Sequence, residues 1–101
     1  MKEDLLKIIK HYGVNTQQRQ LAEEVFELQE AITAYENDYE GLYTYGTEHI
    51  AEEIADVIVM LKQFRIYYNI SDKTINTIMR KKVNRQLERI KNEVKEWKIY
   101  I

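Results

Sequence analysis

Proline is absent from all 101 residues, and glycine occurs only three times, at Gly13, Gly41 and Gly46. A chain so poor in turn-forming residues has little means of building a many-stranded sheet. Apolar residues recur instead at steps of three and four. Leu21, Val25, Leu28, Ile32 and Tyr35 form one series, and Ile50, Ile54, Val57, Leu61 and Phe64 a second. A looser third runs through Ile75, Met79, Val83, Ile90, Val94 and Trp97. Such steps draw an apolar stripe along a helix. The spacing predicts an all-α chain with helices over about 2–12, 15–37, 47–68 and 71–97. Gly13 is expected to stop the first, Asn15 or Thr16 to cap the second, Thr47 the third and Ser71 the fourth. Residues 38–46 read as a loop and 69–71 as a short turn. No helix buries its own stripe, so the helices must pack on one another. Val59 and Met60 lie off the main stripe of the third helix, which marks it as central or as a subunit interface. The expected architecture is a single all-α domain over 1–101, a four-helix bundle-like subunit that oligomerises through its long amphipathic helices.

Composition removes several classes of function. Without cysteine there are no disulfides, thiolate metal sites or cysteine nucleophiles. With 45% hydrophobic and 32% charged residues, the chain is too apolar for a disordered tail and too charged for a membrane protein. No apolar run reaches the roughly 18 residues of a spanning helix, and the opening Met1-Lys2-Glu3-Asp4 does not read as a signal peptide. A cytoplasmic location without membrane partners is expected. The net charge of -2, from 15 basic and 17 acidic side chains, argues against a nucleic-acid binder. The charges are segregated, however. Acids crowd residues 20–56 and bases residues 80–98, so the chain has the means to hold a cation and a polyanion side by side.

The acids are organised by an internal repeat. Leu21-Ala22-Glu23-Glu24-Val25-Phe26-Glu27-Leu28 matches Ile50-Ala51-Glu52-Glu53-Ile54-Ala55-Asp56-Val57 at an offset of 29 positions. At about 100° per residue, Glu24 falls about 60° from the centre of its stripe and Glu27 about 120°, on the same side. Glu53 and Asp56 repeat this on the third helix, while Glu23 and Glu52 point outward. If the two helices pack antiparallel, the four acids converge, and like charges that close require protons or cations. Oxygen-only ligands suit Mg²⁺ or Mn²⁺. A di-iron bundle is disfavoured, because it calls for Glu-x-x-His and no Glu here is followed by His at that step. His11 and His49 read as surface or helix-end groups. The plainer alternative for the acids is a pair of solvated faces.

Lys82, Arg85 and Arg89 share one side of the fourth helix and offer phosphate contacts, or else a solvated basic face. There is no Gly-rich phosphate loop, so nucleotide binding of the P-loop or Rossmann type is excluded. Tyr35, Tyr39, Tyr43 and Tyr45 read as loop anchors or interface groups, with base stacking as the alternative, and Trp97 as a core or interface plug.

Glu23-Glu24-x-x-Glu27, 25 intervening residues, then Glu53-x-x-Asp56 resembles the signature of the MazG-like all-α nucleoside triphosphate pyrophosphohydrolases. Gln20-Leu21-Ala22-Glu23-Glu24 and Glu53-Ile54-Ala55-Asp56-Val57-Ile58-Val59-Met60 are similar to short members from phages and Gram-positive bacteria. The resemblance covers about residues 15–92. It implies Mg²⁺-dependent cleavage between the α- and β-phosphates of a nucleoside triphosphate, giving monophosphate and pyrophosphate. Carried over by position, it makes Glu24, Glu27, Glu53 and Asp56 the metal ligands and catalytic acids. Glu23 and Glu52 become outer groups or water-positioning residues, and Lys82 and Arg85 phosphate contacts. It also implies a homodimer or a homotetramer built of dimers. One departure is the basic segment, Lys82-Val83-Asn84-Arg85-Gln86-Leu87, where longer bacterial members carry His-Pro-His. Two readings compete. One is a non-catalytic helical interaction module. The other is an acidic nucleic-acid mimic, against which the inward lean of Glu24 and Glu53 argues.

Overall fold

The computed structural model describes residues 1–37 and 46–99, with backbone alone for 97–99. The expected loop over 38–46, with Tyr39, Tyr43 and Tyr45, lies outside the described residues except for Gly46, as does the Trp97 side chain. Four helices follow in order: α1 (Lys2–Tyr12), α2 (Val14–Glu36), α3 (Glu48–Tyr67) and α4 (Asp72–Ile99). No strand occurs among the described residues, so the chain is all-α.

Helix ends follow local chemistry, with one correction. Glu3 and Asp4 open α1, and Lys10 and His11 close it, each complementing the helix dipole. Gly13 ends α1 at φ +90°, a conformation that favours glycine, and its N–H donates to the Ile9 carbonyl at 2.8 Å. The expected Asn15 or Thr16 cap is not used. Gly13 itself is the N-cap of α2, with no side-chain capping bond. The turn is completed within one residue, so helix resumes before either side chain stands in an N-cap position. Thr47 precedes α3 but makes no side-chain cap. Ser71 does cap α4: its Oγ accepts from the Thr74 N–H at 3.1 Å. Asn69 makes the preceding turn at φ +55°, which asparagine tolerates.

The chain forms two compact units, residues 1–69 and 70–101. In the first, α3 packs against both α1 and α2, which makes it the central helix. Its core is Leu5, Ile9, Ala31, Met60 and Ile66, with two buried glutamines, Gln17 and Gln63. Gln17 Nε2 donates to Gln63 Oε1 at 2.8 Å, tying the start of α2 to the end of α3. In the second unit α4 is exposed along its described length except at half-buried Ile75.

The stripes locate the helices but misplace the centre of the core. Leu21, Leu28, Ile50, Val57 and Phe64 are half-buried, while Val25, Ile32, Tyr35, Ile54 and Leu61 are exposed. The contact face of α2 runs instead through Gln17, Leu21, Glu24, Leu28 and Ala31. That of α3 runs through Glu53, Val57, Met60 and Phe64. Both faces are turned about 40–50° from the stripe centre, toward the acids. Small Ala31 lets the backbones approach on that side. The apolar flank left over, and Met79, Val83, Ile90 and Val94 of α4, stay exposed.

Candidate metal centre

The rotation of both helices carries acids into their contact. Contacts pair early α2 with late α3, and late α2 with early α3, so the helices run antiparallel. One carboxylate oxygen from each of Glu24, Glu27 and Glu53 lies within 4.8 Å of the others. Glu53 is 9% exposed, Glu24 half-buried and Glu27 exposed. Glu24 Oε2 and Glu53 Oε2 are buried and have no hydrogen-bond partner. Buried carboxylate oxygens are ordinarily satisfied, so this pair marks an unmet demand for positive charge.

Each remaining oxygen has a nitrogen of its own helix on its side, hydrogen-bonded in α2 only. Gln20 Nε2 donates to Glu24 Oε1 at 2.8 Å. His49 Nε2 stands 3.9 Å from Glu53 Oε1, and its Nδ1 stands 3.8 Å from Glu52 Oε2. The crowding registers on Glu27. Its pKa is raised above the ordinary 4.5, chiefly by the Glu24 charge, then by lost solvation and by Glu53, with Asp56 contributing least. Asp56 thus acts on the cluster through space, but is not one of the three acids whose oxygens meet. Beside the acids lies a cleft of about 440 Å³, lined by Glu27, Glu30, Ala31, Ala34, His49 and Glu53. Lys82 and Arg85 are exposed on α4, in the second unit.

Two features escaped the sequence reading. His49 lies four residues before Glu53, but that Gln20 stands at the same offset before half-buried Glu24, making the two a pair, went unread. The Gln17–Gln63 pair left the fainter trace of a polar residue on the stripe side of α2. Both histidines are helix-end groups, as expected: His49, in the first turn of α3, also lines the acid cleft, and His11 is exposed and packs edge-on against the Tyr12 ring, centroids 4.8 Å apart.

An oxygen-only donor set with two unpartnered buried oxygens fits a hard divalent cation better than iron or zinc. An all-helical chain that brings acids of two motif copies together on antiparallel helices is, by class, a helical protein with a candidate cation site. Residues 13–90 match the MazG nucleotide pyrophosphohydrolase domain, and the chain belongs to that family. Neither the curated proteins nor the solved structures provide a match. No helix among the described residues is long and apolar enough to cross a membrane.

Proposed function

We propose that this protein is a cytoplasmic, Mg²⁺-dependent nucleoside triphosphate pyrophosphohydrolase. Water adds to the α-phosphorus, the bond to the oxygen bridging to the β-phosphate breaks, and monophosphate and pyrophosphate leave. The observation that carries this reading is the meeting of Glu24, Glu27 and Glu53, with two buried oxygens lacking partners, in a chain of this family.

Glu24, Glu27 and Glu53 would hold the cation, with Asp56 as the fourth acid of the motif. Mg²⁺, or Mn²⁺ in its place, supplies a Lewis acid for the phosphate oxygens. The chain's own residues do the rest. The half-buried and buried positions of Glu24 and Glu53 keep those carboxylates shielded, so their charge acts at full strength on whatever enters. Exposed Glu27 gives the centre an open side, continuous with the cleft where a nucleotide can lie. The exposed outward acids Glu23 and Glu52 remain available to orient water. The sequence resemblance, rather than the geometry, carries Lys82 and Arg85 as the groups that neutralise the departing pyrophosphate. The exposed apolar flank of Val25, Ile32, Ile54 and Leu61 supports assembly as a homodimer or a homotetramer of dimers.

The test is pyrophosphate release from a panel of ribo- and deoxyribonucleoside triphosphates, with and without Mg²⁺, on wild type and Glu53→Gln. Release from at least one triphosphate is expected only with metal, and only from wild type. Metal-independent release, or full activity in Glu53→Gln, would overturn the assignment.

A further inference from the structure

The repeat extends one turn further back than the acids. Gln20-Leu21-Ala22-Glu23-Glu24 and His49-Ile50-Ala51-Glu52-Glu53 both begin with a side chain able to donate a hydrogen bond, four residues before the inward Glu. A spacing of four places the two groups on the same helix face, one turn apart. In α2 the contact is made: Gln20 Nε2 donates to Glu24 Oε1 at 2.8 Å, and Gln20 is itself half-buried. In α3 the corresponding groups stand further apart: His49 Nε2 is 3.9 Å from Glu53 Oε1, near enough to close to a hydrogen bond by a side-chain rotation but not hydrogen-bonded as it stands. The two copies share a layout. One oxygen of the Glu lies on the side of a nitrogen-bearing side chain of its own helix, hydrogen-bonded in α2 and 3.9 Å away in α3, and the other, Oε2, is buried without a hydrogen-bond partner.

We infer that Gln20 and His49 are a matched pair of positioning residues, each orienting the inward Glu of its motif so that the bare oxygen faces the shared centre. A carboxylate on a free side chain rotates, and each rotation withdraws a ligand atom. A donor fixed on one oxygen removes that freedom and leaves the second oxygen aimed. Outer donors of this kind typically change metal affinity or activity by about 10- to 100-fold when lost. An ordinary helix-surface pair would not need the same offset, the same helix phase and the same bare, buried oxygen in both copies. The two donors differ in chemistry, amide against imidazole, while keeping the geometry. This inference rests on the metal-centre reading and adds to it the groups that hold the acids.

The experiment is calorimetric titration of the full chain with Mg²⁺ and, separately, Mn²⁺. It compares wild type, Gln20→Leu, His49→Leu and His49→Gln, with helicity followed by circular dichroism. Both leucine variants should keep their helicity and bind metal about 10- to 100-fold more weakly. His49→Gln, which restores in α3 the donor that α2 uses, should bind within about threefold of wild type, a difference of roughly 0.7 kcal/mol. Should Gln20→Leu fail to fold, Gln20→Met carries the same comparison. A metal-free readout accompanies these: in the amide spectrum, the Gln20 side-chain NH₂ signals of the wild type should move on Glu24→Ala. Leucine variants that bind as tightly as wild type overturn the pairing and leave the metal centre standing. So does a His49→Gln protein as weak as His49→Leu, or an unmoved Gln20 signal. A wild type that takes up neither ion overturns both.

Discussion

The α2–α3 contact buries polar groups in two places, and they behave in opposite ways. Toward the start of α2, Gln17 and Gln63 are 5% and 2% exposed; one amide donates to the other at 2.8 Å, and Gln63 Nε2 also reaches Met60 Sδ at 3.7 Å. Further along the same helices, Glu24 and Glu53 each bury an oxygen, Oε2, that has no hydrogen-bond partner. The amide pair is neutral and closes on itself. The acid group is charged, like-signed and incomplete. Burial of a polar side chain is therefore not by itself the sign of a site. A buried group whose hydrogen-bonding capacity the protein leaves unfilled, where it has filled a neighbouring one, is the sign.

The largest test of this contrast is Glu53→Gln. It removes a charge from the acid group with little change in volume. Mg²⁺ affinity should fall by at least about 100-fold, since a ligand rather than an outer donor is lost. At 100 times its dissociation constant, Mg²⁺ should stabilise the wild type by about 2.7 kcal/mol. The variant should gain almost nothing at that concentration in a thermal melt. Without metal, the variant should melt no lower than wild type, because a repelling charge has gone. An equal Mg²⁺-induced shift in both proteins would place the cation elsewhere.

The amide pair should respond in the reverse sense. Gln63→Leu alone strands the Gln17 amide in the interior, at a cost of about 1–3 kcal/mol by urea unfolding. Replacing both glutamines with leucine removes both needs together and should recover most of that loss. Mg²⁺ affinity should stay within about threefold of wild type throughout. A double variant as unstable as the single, or one that loses metal binding, would show that the two polar places are one unit.

Much of this was legible in residue spacing. Steps of three and four marked three of the four helices, and the 29-position repeat singled out four acids, three of which bring oxygens together, because a duplicated pattern keeps its helix phase. The rotation of the contact face was not legible. Periodicity ranks faces by apolarity, and by that measure Val25, Ile32, Ile54 and Leu61 outrank the face that carries Glu24 and Glu53. Partners decide which face is used: Gln17 on α2 and Gln63 on α3 are unpromising for an interface until each meets the other's amide, and apolarity alone gives no reason to turn Glu53 inward. The start of α2 was missed for a simpler reason: a single glycine at positive φ did the work assigned to a capping side chain. The position of Lys82 and Arg85 against phosphate likewise rests on resemblance, since spacing within one helix carries no information about what faces it.

A finer division runs inside the acid group. Glu24 and Glu27 both come from the first motif, while the second places only Glu53 among the meeting oxygens. Asp56 is one methylene shorter than Glu27 and reaches the cluster as a charge. Asp56→Asn should therefore weaken Mg²⁺ binding by less than about tenfold, the scale of a screened charge near a surface rather than a lost ligand. A loss as large as that of Glu53→Gln would make Asp56 a direct ligand and the two motif copies equivalent.

The smallest effect expected is on pH dependence, and Glu27 carries it. Its folded pKa lies above the ordinary 4.5, so the folded state holds its proton more firmly than the unfolded chain does. The resulting stabilisation is complete below the unfolded value and is lost as pH rises through the folded one. In metal-free protein, the melting temperature of wild type relative to Glu27→Gln should fall as pH climbs from about 4 through that range, and then level off. Exposure of Glu27 to solvent keeps the change modest. Saturating Mg²⁺ should reverse its sign, because the cation replaces the proton as the charge that the cluster needs. The Gln17–Gln63 pair has no titrating group, so Gln63→Leu should track wild type at a constant offset across the same pH series. A pH-independent gap between wild type and Glu27→Gln would mean that Glu24 and Glu53 do not press on Glu27, and that the acid end of the interface is as quiet as the amide end.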